Sequence, residues 1–263
     1  NSHFDPRDYE KRCPVIFVID RLLLSLPWES IPCLKEHSHP ITRLPSLAYI
    51  WTHWARRKEK KEGVLERGVD AKKLYYIIDP DGQDSNKGFR PKQRTFWTEK
   101  LEELREEERG WEGIRHVLPK DSHFEKAAMD NDIFLYVGHS GGEQFFSNRR
   151  VENLSINSTV LLMGCSSAAP RVEGDYSPNG IALSYLSAGA PCVVGNLWSI
   201  TDVDGDSFAT EMLSIWLEEE GEEEQTTVAH AVAQAREVCQ LSYSVGAAAV
   251  CVGFPVGIDR SGD

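Results

Sequence analysis

No stretch of this 263-residue chain is apolar for long enough to span a bilayer: runs such as CPVIFVID (13 to 20) and GAAAVCVGFPV (246 to 256) fall short of the ~20 residues required. The opening NSHFDPRDYEKRC has neither the apolar segment nor the cleavage pattern of a secretory signal. Cysteine pairing is missing too. The six cysteines, at 13, 33, 165, 192, 239 and 251, form no C-x-x-C and no regular spacing, which argues against a disulfide framework and for a reduced, intracellular protein. Cys13, Cys192 and Cys251 fall in apolar strand-like runs and Cys239 on a helix face. Positive charge is in deficit, with 29 Lys and Arg against 41 Asp and Glu and a formal net charge of −12. Such a chain repels phosphate backbones and anionic membranes, so neither nucleic acid nor a membrane is expected as a partner, and basic ligands are favoured. No internal repeat is present.

What is there is core-forming material. At 41% hydrophobic and 10% aromatic residues, the chain can bury a full core, and residues 1–263 read as a single domain. Six short β-branched runs predict strands: VIFVID (15 to 20), KLYYIID (73 to 79), DIFLYVGH (132 to 139), STVLLMGC (158 to 165), APCVVGNLW (190 to 198) and AAAVCVGFPV (247 to 256). They alternate with stretches of helical period and are nearly continuously apolar. Both features predict an α/β fold, a mostly parallel six-stranded central sheet covered by helices on both faces.

Residues 202 to 217 carry Phe208, Met212, Ile215 and Trp216 on one stripe, and 227 to 240 carry Val228, Val232, Ala235 and Cys239, so both read as core-facing helices. SLAYIWTHWARRKEKKE (46 to 62) predicts a helix whose basic end runs into solvent. DPDGQDSNKGFRPKQR (79 to 94) is rich in turn residues and reads as a mobile loop, and EEEGEEE (218 to 224) as a solvated acidic loop.

Chemistry concentrates where two strands end. LLMGCSSAAP (161 to 170) is an apolar run that stops at Gly164 and Cys165, and FLYVGHSGGEQFF (134 to 146) is another that stops at Gly138 and His139. Each residue alone has a packing alternative, since Cys is among the most buried residue types and a His near a core is commonly satisfied there. Together, at the carboxyl ends of successive parallel strands, they predict a nucleophile and its acid–base partner. The N–H groups of Cys165 and of the turn after His139 are the candidate donors to an oxyanion. Ser166 and Ser167 read as turn-formers that hold the nucleophile.

The order of the two residues discriminates among cysteine hydrolases. Papain-like proteases and glutamine amidotransferases have the nucleophile before the histidine, and here only His230, in a helical stretch, follows Cys165. A nucleophile elbow wants Gly two residues beyond the nucleophile, where this chain has Ser167. His before Cys on consecutive strands is the caspase-like order.

LPWESIPCL (26 to 34), TRLPSL (42 to 47), FLYVGHSGGEQF, LLMGCSSA, GAPCVVGNLWSITDVDGD (189 to 206) and GAAAVCVGFPV resemble, in order, the successive blocks of the protease domain of separase. The resemblance implies a caspase-like three-layer sandwich that forms the C-terminal catalytic fragment of a much larger protein. It implies a thiol endopeptidase that needs no cofactor or metal and cuts after arginine, with an acidic residue three positions before it. The expected partners are the cohesin kleisin subunit, as the substrate whose cleavage releases sister chromatids at anaphase, and securin, as a pseudosubstrate inhibitor, in cytoplasm and nucleus. By motif position Cys165 is similar to the family's nucleophile and His139 to its catalytic histidine. The family commonly has Gly directly after that histidine, and this chain has Ser140. If the turn requires positive φ, Ser140 is strained and Gly141 is the alternative oxyanion donor.

A substrate guanidinium needs a carboxylate in the cleft. TDVDGDSF (201 to 208) offers Asp202, Asp204 and Asp206 just beyond the strand that ends at Trp198, a candidate pocket wall. Similarity to the family's TD-x-D-x-D block makes Asp206 the first choice, with Asp202 and Asp204 as neighbours. Asp202 reads equally as the N-cap of the following helix. A calcium loop is disfavoured, because counted from Asp202 Gly205 is fourth instead of sixth and Leu213 stands at the twelfth position. Two other functions compete: a catalytically silent module that binds a securin-like or cohesin-like partner, and a nucleotide-binding domain. The second is weak, because GHSGG matches neither G-x-G-x-x-G nor G-K-[ST].

Overall fold

The computed structural model describes residues 13–35, 38–57, 63–84, 87–105, 110–217 and 226–259. Its strands are β1 (Val15–Val18), β2 (Ile41–Leu44), β3 (Leu74–Ile78), β4 (Glu112–Arg115), β5 (Ile133–Val137), β6 (Thr159–Leu162), β7 (Cys192–Asn196) and β8 (Ala249–Gly253). They form one sheet in the order β1-β2-β8-β7-β6-β5-β3-β4. All neighbours pair in parallel except β7 and β8, so β4, β3, β5, β6 and β7 run one way and β8, β2 and β1 the other.

Two of these eight strands lie outside the six predicted. Strand β2, ITRL, hides Arg43 at 1% exposure inside the sheet, where Glu29 and the carbonyls of Leu24 and Leu26 accept its guanidinium hydrogens. A buried charge satisfied by a distant segment defeats an apolarity count. Strand β4, EGIR, is an edge strand with no apolar run of its own. The predicted strands also stop early, leaving His139, Cys165 and Trp198 in the turns beyond them. β1 is an edge as well, with Val15 and Val18 exposed, so helical cover on both faces describes the central strands only.

Among the described residues five helices have eight residues or more: α1 (Leu47–Arg57), α2 (Pro91–Arg105), α3 (Ile181–Ala188), α4 (Asp202–Leu217) and α5 (Val228–Ala235). The period-2 alternation of β5 sorts its side chains between two cores. Ile133, Leu135 and Val137 meet Trp97 and Leu101 of α2, Phe208, Met212 and Trp216 of α4 and Val228 and Val232 of α5. Phe134 and Tyr136 point to the other face, against Phe124, Phe146 and Ile181 and Tyr185 of α3. Helices, sheet and helices make the expected three layers.

Local departures have local causes. The stretch 79 to 94 is not wholly a loop, because Pro91 opens α2 at the position where a missing N–H costs nothing. α5 ends at Ala235, not near residue 240, and a 3-10 turn (Arg236–Val238) follows, after which the Asp204 carboxylate accepts the N–H of Gln240 and Leu241. Cys239 is therefore buried beyond the helix and not on its face. Cys13 precedes β1 and is exposed, while Cys192 and Cys251 are buried in strands as expected. The basic end of the 46 to 62 stretch, from residue 58, and the acidic stretch 218 to 224 lie outside the described residues.

Candidate active site

Strands β5 and β6 pair with Tyr136 opposite Leu162, and His139 and Cys165 each stand three residues beyond that pair. The register therefore delivers both side chains level with one another at the same edge. Contact between the two turns is close: a Cβ on Gly164 would lie 1.9 Å from the carbonyl oxygen of Ser140 and 2.5 Å from that of Gly138. Only glycine fits there, because the turn that carries His139 lies against the backbone that carries Cys165.

The end of β7 holds the Cys165 turn. Asn196 Nδ2 donates to the carbonyl of Gly164 at 3.1 Å, Ser167 Oγ donates to the carbonyl of Leu162 at 2.7 Å, and the N–H of Asn196 donates to that Oγ at 3.0 Å. Ser166 is left-handed at φ 55°, its N–H donating to the carbonyl of Trp198 at 3.0 Å. Both serines are turn-formers. Asn196, at a strand's end, gave no sequence signal. The Cys165 Sγ sits beside Ile200, accepting its N–H at 3.4 Å, with the Ile200 carbonyl at 3.5 Å.

His139 is held from the other side. Its Nε2 donates to the backbone carbonyl of Lys87 at 2.8 Å, since a carbonyl can only accept, and this leaves Nδ1 as the acceptor of the neutral ring. Lys87 belongs to the segment that reads as a mobile loop, and Asp79 fastens that segment. Asp79, buried and left-handed at φ 50°, accepts the N–H of Phe89 at 2.8 Å, contacts His116 Nδ1 at 2.7 Å and pairs with Arg94 at 2.9 Å. Lys87, Phe89, Arg90 and Gln93 line the site, and the sequence reading missed them. The available signal was Pro91, which marks a helix start just after the turn residues.

Between these elements lies a cavity of about 200 Å³, bordered by His139, Cys165, Asp202, Asp206, Phe89 and Gln93. Asp206 is 8% exposed and accepts the indole N–H of Trp97 at 2.8 Å. Burial first, with a smaller contribution from neighbouring Asp202, raises its carboxyl to about 7 against the lowering effect of hydrogen bonds from Trp97 and Gln93. Asp202 is an exposed cavity residue and not the N-cap of α4; that position is Thr201, whose hydroxyl accepts the N–H of Asp204 at 3.4 Å. Asp204 does not line the cavity, being committed to the backbone at 240 and 241. Trp198 stands outside as well, its Nε1 donating to the carbonyl of Ser244 at 2.6 Å.

The turn after His139 requires positive φ: Ser140 stands at 53°. The N–H of Gly141 donates to Glu143 Oε2 at 2.8 Å and is thereby occupied, a correction to its expected availability. The N–H groups of Ser140 and Cys165 make no hydrogen bond to the described residues. Among those residues no group of three His, Cys, Asp or Glu side chains is placed to hold a metal, and no helix is long and apolar enough to cross a membrane.

Comparison with known proteins places the chain in a family. Residues 2–204 match the family model described as Separin, protease domain. Separin of Mus musculus is 33% identical over 93% of this chain, which covers 11% of that relative's length. The crystal structure of the Saccharomyces cerevisiae separase–securin complex superposes with a TM-score of 0.77 at 28% identity, over 92% of this chain and 15% of that one. The Arg-specific cysteine proteinase gingipain R, at a TM-score of 0.58 and 15% identity over 84% of this chain and 55% of that one, shares the caspase-like fold alone. The chain thus spans between a tenth and a sixth of the separins and separases it matches. With the protease-domain model matched over residues 2–204, relatives up to 34% identical over most of the chain and a mostly parallel sheet between helical layers, the chain belongs to the separin protease-domain family.

Proposed function

We propose that the chain is the catalytic domain of a separase-type cysteine endopeptidase that cleaves after arginine. One observation carries the reading: Cys165 and His139 stand in the turns just beyond register-matched parallel strands, at the rim of a single cavity that also contains the buried carboxylate of Asp206. The mechanism follows from those groups. A substrate arginine enters the cavity and its guanidinium pairs with Asp206, with Asp202 adding negative charge. His139 Nδ1 takes the Cys165 proton, and Sγ attacks the carbonyl carbon. The N–H groups of Ser140 and Cys165 hold the oxyanion. As the C–N bond breaks, His139 returns the proton to the leaving amine. It then takes a proton from water, which hydrolyses the thioester and restores the thiol. No cofactor takes part.

The cohesin kleisin subunit, cut after an arginine with an acidic residue three positions before it, is the proposed substrate, in cytoplasm and nucleus. Securin is the proposed inhibitor, a reading supported by the relative solved with securin bound. The competing reading, a catalytically silent partner-binding module, makes the opposite prediction in one experiment. Incubation with an arginyl acyloxymethyl ketone followed by mass mapping should label Cys165, and Cys165→Ala should abolish both labelling and cleavage of an arginyl peptide. His139→Ala should slow cleavage by ~10³-fold or more. Absence of labelling, or cleavage within tenfold of the parent in either variant, refutes the protease reading.

A further inference from the structure

A peptide plane has two polar ends pointing in opposite directions, the C=O of one residue and the N–H of the next. In the plane that joins His139 to Ser140, the carbonyl accepts a hydrogen bond from the Tyr136 hydroxyl at 3.0 Å. The Ser140 N–H is therefore turned away from Tyr136. Its nitrogen lies against the Cys165 turn: a Cβ on Gly164 would lie 2.8 Å from it. From this geometry we infer that Tyr136 is a positioning residue for the oxyanion-binding amide, its hydroxyl locking the His139–Ser140 peptide so that the Ser140 N–H stays aimed at the cleavage site. This inference rests on the protease reading above.

The lock has something to resist. Ser140 is held at φ 53°, a region that costs an L-residue with a Cβ about 1–2 kcal/mol. Relaxation to negative φ would rotate this same plane about the N–Cα bond of Ser140 and swing the N–H out of the site. Tyr136 is well built to prevent that. Its ring is fully buried on β5, edge-on to Phe146 with centroids 6.5 Å apart, and so cannot follow the turn. The turn instead wraps the ring. A Cβ on Gly138 would lie 2.8 Å from the hydroxyl, and one on Gly142 would lie 3.2 Å from the ring carbons. Burial pushes the phenol well above its usual range, so the hydroxyl keeps its proton and remains a donor. The Gln144 amide, 3.4 Å from both the hydroxyl and the His139 carbonyl, is a weaker second tether.

Tyr136→Phe keeps the ring and removes only the hydroxyl. It should lower kcat for an arginyl amide by ~10–100-fold, below the 10²–10³-fold cost of deleting an oxyanion donor outright, with KM within threefold. Alkylation of Cys165 by iodoacetamide, a displacement that forms no oxyanion, should keep its rate. In a Ser140→Gly background, where positive φ is no longer strained, the same replacement should cost at least threefold less. An unchanged kcat, or alkylation slowed in proportion to cleavage, overturns the inference. If the parent protein cleaves nothing, the protease reading fails, and crystal structures of parent and Tyr136→Phe decide this one. A rotated His139–Ser140 plane in the variant upholds the lock, and an unmoved plane refutes it.

Discussion

Trp97, from inside the core, donates its indole N–H to Oδ1 of Asp206 at 2.8 Å, so a carboxylate in the cavity is aimed by a residue on a different helix. The bond fixes Asp206 without neutralising it. Burial still raises the carboxyl to about 7, which makes its charge, and hence the guanidinium binding proposed for it, pH-dependent in the working range.

For substrate, the expected outcome is a selectivity that titrates. The ratio of kcat/KM for an arginyl peptide over its neutral citrullyl isostere should rise about tenfold from pH 6 to 8 as Asp206 ionises, and should be low and flat in Asp206→Asn. Taking the ratio cancels the titration of the catalytic groups. A steep ratio surviving in the Asn variant would assign the pocket to another residue. Stability changes in the opposite direction. The folded carboxyl holds its proton to about 7, whereas the unfolded one loses it near 3.9, so folding is increasingly disfavoured as pH rises through that window. Asp206→Asn should therefore gain in Tm relative to the parent between pH 4.5 and 7.5, on thermal melts.

Gly164 tests the junction of the turns that carry His139 and Cys165. Alanine there has its Cβ 1.9 Å from a backbone oxygen, which no rotamer change can relieve. Gly164→Ala should lose ~3 kcal/mol in urea unfolding, the upper end of overpacking costs. A loss below 1 kcal/mol would show that the turns are not in contact.

Ser140→Gly should do the reverse. With Ser140 at φ 53°, glycine removes a left-handed penalty and adds unfolded-state entropy, leaving a net gain of about 0.5–1 kcal/mol. Thermal and urea unfolding measure it. A destabilised variant would mean that the serine side chain contributes more than its backbone costs.

By itself the sequence determined the layers and the strand ends at which Cys165 and His139 stand. Four of the five parallel strands beside the site, β3, β5, β6 and β7, are apolar runs, and each of β5 and β6 leads through a glycine to one chemically distinctive residue, His139 or Cys165. Such signals are local, because burial on both faces leaves its mark on consecutive residues. Tertiary structure alone decided the rest. Resemblance alone ranked Asp206 above Asp202 and Asp204, and no local pattern separates the three; Trp97 and Gln93 turn Asp206 into a buried cavity carboxylate while the backbone at 240 and 241 withdraws Asp204. Likewise the Lys87 carbonyl reaches His139 across 52 positions, and Arg43 is buried where Glu29 and the carbonyls of Leu24 and Leu26 meet it. The physical reason is common to all three. A polar group's role is set by the partner that satisfies it on desolvation, and in a folded chain that partner comes from a distant segment whose approach no local pattern encodes.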